Sequence, residues 1–443
     1  MPASEGAAVQ TTRLNVLDEL YLNLNREQEP WSVHVEVRVQ GRIDDARLTD
    51  AVLRAALGHP MARARLRDPR ATDVRHRWEI LEELTEVDLR VVDCADGDRL
   101  TRAREELLSQ TPPLDGPGPF SLLLAHDPRG DVLVVNLHHA AGDGLSALRL
   151  IGSIARAYAG AEDPEPPVDP LKVRDLGAVV GGVSLKERMA RGRAALDYLT
   201  RGVAPPARIA PQGASRQDGY GFDFLKLSPA QLRRVISRSG AGVTVNDVLL
   251  GALAVTVRRW NERHGVDSGS VYLLMPVNLR PAEWRYDVMG NYASYVSVHF
   301  GSADHETLDT ALQAAAASTR RIKDGGVAGL IVDLFDMPSA LPAVLKRRMQ
   351  GLIPLTGNLA VDTATLSNLG RIEGIPRFGA AGAIEEVWFS PPGRMPLGAS
   401  LGAATLDGRL FLTLRYRHPQ FDPAGAGEFL GTLGQVLTER SAG

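Results

Sequence analysis

Two adjacent histidines followed by an aspartate and a glycine form the stretch of this chain best suited to chemistry. They are His138, His139, Asp143 and Gly144, in an HHxxxDG pattern that follows an apolar run. An imidazole, with an ordinary pKa of about 6.5, can take up and return a proton near neutral pH. Because successive strand residues point to opposite faces, at most one of the two histidines faces a given cleft. The pattern therefore predicts one general base.

The other two residues of the pattern suit a tight turn. The Asp143 carboxylate can fix the turn, hydrogen-bond locally or pair with an arginine. Gly144 suits a backbone with positive φ or a close approach by another segment. A metal site is disfavoured, because adjacent histidines lack the i, i+4 spacing of zinc motifs and no cluster of further ligands follows. The single cysteine, Cys94, excludes a disulfide or a cysteine-based metal cage within the chain.

A second pattern imitates a serine hydrolase. Residues 398–402 read GxSxG around Ser400, and Asp407 and His418 follow in hydrolase order. A nucleophile elbow requires a strand, a sharp turn and then a helix. Here an apolar run follows Ser400 and ends at Asp407-Gly408, which is a hairpin signal. The sequence therefore predicts a hairpin at this position and disfavours a hydrolase.

The elements that position the histidines can be predicted from hydrophobic patterning. Residues 131–137 are dense in Val and Leu, which indicates a buried strand, and residues 145–158 have apolar residues at helical spacing. The HHxxxDG pattern therefore lies on a strand-to-helix turn. Clean alternation over 31–40 predicts a half-buried strand, and further strands are expected at 74–80 and 119–125. Strands and helices mixed in this way indicate an α/β or α+β unit.

A chain of 443 residues is too long for one compact core, and two domains of about 200 residues each are expected. The proline-rich stretch 163–170 is a candidate connector, and a helix is expected at 184–199. We expect an N-terminal unit over 1–165, a connector over 166–218 and a C-terminal unit over 219–443. The predicted elements of the last unit are a helix from a candidate cap at Asn246 to about 263, strands at 271–275, 292–300, 384–389 and 410–415, and a helix at 427–438.

The composition excludes several classes of protein. Hydrophobic residues make up 44% and charged residues 23%, which excludes wholesale disorder. A net charge of −3 gives no electrostatic reason to expect a nucleic-acid partner or a membrane surface. The apolar runs stop well short of the roughly 20 residues that a membrane span needs, and no targeting signal is visible. The expectation is a soluble, cytoplasmic monomer.

The order of several motifs along the chain resembles the condensation-domain branch of the CoA-dependent acyltransferase superfamily. HHxxxDG is the most specific of them and matches at all four fixed positions. The weaker blocks fall in the family's order, and they are DELY at 18–21, HPMARAR at 59–65, MPVNLRP at 275–281, MGNY at 289–292 and LSNLG at 366–370.

The resemblance implies a fold and a set of roles. The fold would be two chloramphenicol-acetyltransferase-like subdomains that meet in a V, with a tunnel between them and HHxxxDG near its middle. His139 would be the catalytic histidine and His138 its structural neighbour. Asp143, beside Gly144, would be structural and paired with an arginine of the other half, for which Arg280 is the candidate. Three further side chains would line the site and could bind substrate or the oxyanion: Asn278, Ser367 and Asn368. Backbone N–H groups near residues 142–144 are the alternative donor to the oxyanion.

The resemblance also implies a reaction. The protein would join an acyl group, carried as a thioester on CoA or on an acyl or peptidyl carrier protein, to a small-molecule alcohol or amine. No tightly bound cofactor is expected. The remaining length leaves no room for a carrier or adenylation domain, so a free-standing enzyme of specialised metabolism is expected.

Two alternatives stay open. A non-catalytic, condensation-like module would recruit a partner protein, although such a module has no need of the intact histidine motif. A wax-ester or diacylglycerol acyltransferase is the other. Those relatives usually carry a PLWE-type segment, where this chain has PLDGPGPF at 113–120.

Overall fold

The computed structural model describes residues 10–70, 73–94, 97–180, 205–213, 219–238, 242–325, 329, 332, 362–393 and 399–439. The helix expected over 184–199 lies outside these residues. The elements of the first part of the chain are β1 (Gln10–Arg13), α1 (Val16–Leu24), β2 (Ser32–Val39), α2 (Asp45–Leu57), β3 (Ala64–Arg67), β4 (Arg77–Ile80), β5 (Leu89–Asp93), α3 (Gly97–Leu108), β6 (Phe120–His126), β7 (Val132–His138), α4 (Gly144–Ala159) and α5 (Leu176–Val179).

The second part of the chain repeats the mixture of strands and helices. Its elements are β8 (Tyr220–Leu227), α6 (Pro229–Arg238), α7 (Val245–Arg263), β9 (Val271–Asn278), β10 (Ala293–Phe300), α8 (Leu308–Asp324), β11 (Ala364–Ile372), β12 (Ile384–Ser390), β13 (Ala399–Leu406), β14 (Arg409–Arg417) and α9 (Pro423–Thr438). The predicted helix that ends near 263 is present as α7, but its cap is Thr244, whose side chain accepts a hydrogen bond from the Asp247 N–H, rather than Asn246.

Two large sheets organise the molecule. One has the strand order β12-β2-β7-β6-β5 and the other β10-β9-β11-β13-β14-β8, while β1, β4 and β3 form a small third sheet. A separate hydrophobic core lies against each large sheet. The mixed α/β fold with two subdomains is therefore confirmed.

One strand departs from the division of the chain at residue 219. β12 follows β11 in the sequence, yet it pairs antiparallel with β2 of the first sheet, with Phe389 opposite Val35. On its other side Trp388 packs edge-on against Phe411 of β14, with the ring centroids 4.9 Å apart. The C-terminal part of the chain thus completes the N-terminal sheet, and the two subdomains share a strand.

The prediction that β2 is half-buried is wrong, because both of its faces are buried. The alternation is real, but the polar face is covered by ion-paired partners instead of water. Glu36 receives two hydrogen bonds from Arg104 of α3, at 2.6 and 2.8 Å, and Arg38 lies 3.3 Å from Asp127. A polar face can be buried in this way when its charges are paired.

The region that imitates a hydrolase folds as the predicted hairpin. Ser400 lies on β13, which pairs antiparallel with β14, and no helix follows it. Asp407 and Gly408 form the turn with φ values of 48° and 72°, as a two-residue hairpin requires. Ser400 is buried and donates its hydroxyl to the Pro391 carbonyl, so it is not presented as a nucleophile.

Candidate active site

The histidine motif occupies the turn between β7 and α4. His138 is the last residue of β7, and the N–H of His139 donates to the Trp31 carbonyl at 2.9 Å. α4 then begins at Gly144 with Asp143 as its cap, because the carboxylate accepts from the Ser146 N–H at 3.1 Å. A central strand and a buried helix therefore hold the turn rigidly at both ends.

His139 is set up as a neutral base. Its ring stacks on Tyr21 of α1, with 3.8 Å between the centroids, and its Nδ1 lies 3.1 Å from the Gly142 carbonyl. A carbonyl only accepts, so Nδ1 carries the proton and Nε2 holds the free lone pair. Burial lowers the pKa of His139, and nearby Asp143 offsets this only in part. The ring is therefore unprotonated at neutral pH.

His138 faces a different environment from its neighbour. Its Nδ1 accepts a hydrogen bond from the Ala140 N–H at 3.0 Å, which helps to fix the turn. Burial lowers the pKa of His138 to about 3, with a smaller contribution from His139. A ring that is neutral and bonded to its own turn stabilises the loop, and this placement suits a structural neighbour.

Asp143 and Arg280 form a buried ion pair between the two halves. Arg280 Nη1 lies 2.6 Å and Nη2 2.9 Å from the carboxylate oxygens, and Nη2 also donates to the Gly290 carbonyl at 2.9 Å. Burial would raise the pKa of Asp143, but Arg280 and two backbone N–H donors outweigh it, and the pKa is lowered. Asp143 thus stays ionised and ties the motif to the loop after β9.

Gly144 is required for close approach and not for positive φ. It is the first residue of α4. A Cβ at this position would lie 2.7 Å from side-chain carbons of both Leu369 and Phe389, nearer than packed atoms approach. The small residue therefore lets β11 and β12 pack directly over the start of α4.

Two adjoining spaces lie at the motif. His139 lines a chamber of about 40 Å³, enough for a small reacting group or one or two waters. A cavity of about 760 Å³ adjoins this chamber, and the residues that line both spaces are Asp143, Gly144, Pro276, Ala293, Ser367 and Phe389. Residues of both subdomains line the two spaces.

The structure distinguishes the three predicted lining residues. Ser367 lines both the chamber and the cavity, whereas Asn278 and Asn368 line the cavity only. The amide oxygens of the two asparagines accept from the N–H groups of Arg280 and Gly370, at 3.1 and 2.8 Å. Part of their hydrogen-bonding capacity is thus used in local turns, and Ser367 is the one of the three beside His139.

Sequence reasoning did not identify several residues that complete the site. Thr365 of β11 is 3% exposed and lines the chamber, and its hydroxyl has no hydrogen-bond partner in the described part of the chain. Asn291 donates to the His139 carbonyl at 2.6 Å, to the Ala140 carbonyl at 2.9 Å and to Asp18 at 3.0 Å. The family-like blocks at 18–21 and 289–292 marked these segments but gave no role to Tyr21 or Asn291.

Other kinds of site find no support in the residues that the structure describes. They contain no group of three or more His, Cys, Asp or Glu side chains placed to hold a metal ion. Cys94 is buried and 1% exposed. None of the described helices is both long and apolar enough to cross a membrane.

Comparison with solved structures shows the same fold. An epimerization domain of tyrocidine synthetase B aligns over 98% of both chains, with a TM-score of 0.65 and 17% identity. The first condensation domain of the CDA synthetase aligns over 98% of this chain and 97% of its own, with a TM-score of 0.72 and 14% identity.

Comparison of sequences finds nearer relatives. An uncharacterized protein of Mycobacterium tuberculosis is 37% identical over 408 residues, which cover 88% of this chain and 91% of the relative. A protein of the same species that is provisionally named a diacylglycerol O-acyltransferase is 29% identical over 305 residues, or 61% of each chain. The sequence profile of the condensation domain matches residues 20–332.

The match to the condensation domain, on a fold of two chloramphenicol-acetyltransferase-like subdomains, identifies the class as condensation-type acyltransferases. This chain belongs to the condensation-domain family.

Proposed function

We propose that the protein joins an acyl group, delivered as a thioester, to a hydroxyl or amine acceptor and so forms an ester or an amide. The observation that carries this proposal is the orientation of His139. Its Nδ1 is bonded to the Gly142 carbonyl, so the basic Nε2 is the nitrogen left for a substrate in the chamber. A neutral imidazole in a small chamber that adjoins a large cavity suits general-base catalysis.

The reaction would proceed by direct attack. As the acceptor oxygen or nitrogen bonds to the thioester carbon, His139 Nε2 takes its proton, and the carbonyl π electrons move onto oxygen. When the tetrahedral intermediate collapses, the carbon–sulfur bond breaks and the thiolate recovers the proton from Nε2. Base catalysis of this kind contributes about 10²–10⁴-fold. Holding both substrates in line supplies much of the remaining acceleration.

The oxyanion would be stabilised from β11. Ser367 is the predicted candidate that lines the chamber together with His139, and its hydroxyl can donate. The Thr365 hydroxyl, buried in the same wall without a partner, is a second donor. A well-placed donor of this type contributes about 10²–10³-fold.

The proposal includes the partners. The acyl donor would be acyl-CoA or a phosphopantetheine arm on an acyl or peptidyl carrier protein, acting as a substrate and not as a bound cofactor. A small alcohol or amine in specialised metabolism would be the acceptor. The condensation-domain family and the nonribosomal peptide synthetases among the structural neighbours support a carrier-borne donor.

A lipid substrate is the second candidate. It is favoured by the relative provisionally named a diacylglycerol O-acyltransferase and by the apolar wall of the cavity, where Leu145, Leu148 and Phe389 lie next to the motif. A long acyl chain or a fatty alcohol would bury its methylene groups against this wall.

Intact-mass analysis of reactions that offer acyl-CoA or acyl-carrier protein to panels of alcohols, amines and lipid acceptors tests the proposal. We expect product from the wild-type protein and a loss of about 10²–10⁴-fold in rate for His139→Ala, as removal of a general base predicts. The control is Ser237→Ala, since Ser237 is exposed on α6 and lines neither the chamber nor the large cavity. If His139→Ala retains full function in cells, the protein is a recruiting module and the proposal fails.

A further inference from the structure

Arg415 of β14 is a buried guanidinium that no carboxylate neutralises. It is 1% exposed, and no aspartate or glutamate that the structure describes forms an ion pair with it. The carbon of its guanidinium lies 4.3 Å from the centroid of the Tyr220 ring, and its Nε has no hydrogen-bond partner among the described residues. Taking a cation out of water without an opposite charge beside it costs free energy. The contacts that Arg415 does make must therefore account for its presence.

These contacts cross from the second sheet to the start of β2 in the first. Arg415 Nη2 donates to the Pro30 carbonyl at 3.1 Å, and Nη1 donates to the Ser32 carbonyl at 3.3 Å. A guanidinium presents its donors in a rigid fork, which suits two acceptors at a fixed separation. Arg415 thus fixes the backbone on both sides of Trp31.

Trp31 connects this backbone to the turn that carries His139. Its carbonyl accepts a hydrogen bond from the His139 N–H at 2.9 Å. Its indole lines the chamber, with 6.1 Å between the centroids of the Trp31 and His139 rings and 24° between their planes. A shift of the Trp31 backbone would therefore move the main chain of His139 and one wall of the chamber together.

The sheet that holds Arg415 also holds the proposed oxyanion donors. Thr365 of β11 lies opposite Ser400 of β13, and Ser400 lies opposite Arg415 of β14. His139 follows β7, which belongs to the other large sheet. General base and oxyanion donors thus come from different sheets, and a contact between the sheets is needed to fix the distance between them.

We propose that Arg415 is a positioning residue for His139, which acts through the backbone of Trp31 and does not touch substrate. This inference rests on the proposed function. Arg415 lines neither the chamber nor the large cavity, so its effect on the reaction is indirect. A displacement of about 1 Å at a reacting group can cost about 10²-fold in rate, which gives such a contact its value.

Hydrogen exchange, followed by mass spectrometry, measures the positioning without turnover. The proteins are the wild type, Arg415→Met, Arg415→Lys and, as control, Lys226→Met, which removes an exposed ion pair between β8 and β12. Methionine donates no hydrogen bond, so peptides that cover 29–33 and 137–141 should exchange about tenfold or more faster in Arg415→Met, the scale of one lost hydrogen bond. Peptides from α7 should exchange as in the wild type, and Lys226→Met should show no change.

Steady-state kinetics with a donor and an acceptor that the wild type turns over measure the consequence. Arg415→Met should lower kcat by about 10–10²-fold and leave KM within about twofold, because the substrates do not contact Arg415. Arg415→Lys keeps the charge and can donate to one of the two carbonyls, so it should recover part of the lost kcat. Lys226→Met should keep both constants.

Unchanged exchange around His139 in both Arg415 variants would overturn the proposal, as would an unchanged kcat or a rise in KM alone. Equally faster exchange in α7 would assign Arg415 to overall stability and would overturn it too. If Arg415→Met does not fold, Arg415→Lys carries both measurements, with smaller changes of the same sign expected. A wild type that turns over no thioester defeats the proposed function, whereas the exchange results decide separately whether Arg415 positions the turn.

Discussion

At the scale of the residue, the environment of His139 decides its chemistry. Stacking on Tyr21 fixes the plane of the ring, and the Gly142 carbonyl fixes the tautomer. Tyr21 is itself held by donating its hydroxyl to the Ala293 carbonyl at 2.6 Å, so the second half of the chain positions the ring through α1. His138 and His139 would have other pKa values in another setting, because the pKa of each ring follows from the burial of that ring and from the groups beside it.

This environment predicts a pH profile for the enzyme. Because burial lowers the pKa of His139, the acid limb of kcat/KM with an alcohol acceptor should have its midpoint below pH 6.5, the ordinary pKa of an imidazole being about 6.5. Asp143 raises the pKa of His139, so Asp143→Asn should move the acid limb to still lower pH as well as reduce activity. The measurement is kcat/KM against pH for both proteins. An acid limb at or above pH 6.5 in the wild type would show that His139 is not the titrating base.

At the scale of the element, α4 does two things. Its first residue allows β11 and β12 to pack over the motif, and one of its faces lines the large cavity. Gly152 lies on that face, two turns of helix after Gly144 and one turn before Arg156. A Cβ at Gly152 would lie no nearer than 3.7 Å to Arg156 and Pro376, so a small side chain fits there and a large one must enter the large cavity.

Replacing Gly152 therefore tests whether the arm of the thioester donor lies along this face of α4. Gly152→Ala should leave turnover unchanged and stabilise α4 by up to about 1 kcal/mol, since alanine is the better helix former. Gly152→Phe should lower kcat/KM for a CoA thioester about tenfold or more, because it displaces the arm from its line of attack. A short N-acetylcysteamine thioester, which need not pass Gly152, should be turned over equally by both variants. Equal losses on the two donors would mean that the arm does not follow α4.

At the scale of the whole molecule, the two subdomains are joined by shared structure around the site. β12 belongs by sequence to the second subdomain and by pairing to the first. Arg415 of β14 is buried and donates to the carbonyls of Pro30 and Ser32, on either side of Trp31. Burial lowers the pKa of Arg415 to about 10. Contacts of this kind couple the two cores, so they should unfold together.

Truncating the shared strand tests this coupling. Trp388 of β12 packs on Phe411 and Phe224, so Trp388→Ala should cost about 3–5 kcal/mol of unfolding free energy, as expected for a large core side chain. The thermal transition, followed by calorimetry, should move to lower temperature and remain single. Leu57→Ala, at a side chain that is 52% exposed, is the matched control and should change little. Two resolved transitions in the Trp388 variant would show that the subdomains unfold independently.

The sequence alone was sufficient for the local parts of this protein. The β7 strand, the α4 helix, the turn with its paired histidines and the hairpin that excludes a hydrolase all follow from patterns within about 20 residues. Hydrophobic periodicity and turn chemistry record which backbone state a segment prefers. The resemblance carried by the family-like blocks predicted the overall fold, because these blocks are spaced along the whole chain.

Only the tertiary structure decided how these parts meet. It placed Tyr21 on His139, brought Ser367 but not Asn278 or Asn368 to the chamber, buried the polar face of β2 and moved β12 into the first sheet. Each of these contacts joins residues that lie far apart in the chain. A one-dimensional pattern reports what a residue prefers locally, whereas its partners are selected by the packing and charge pairing of the folded whole.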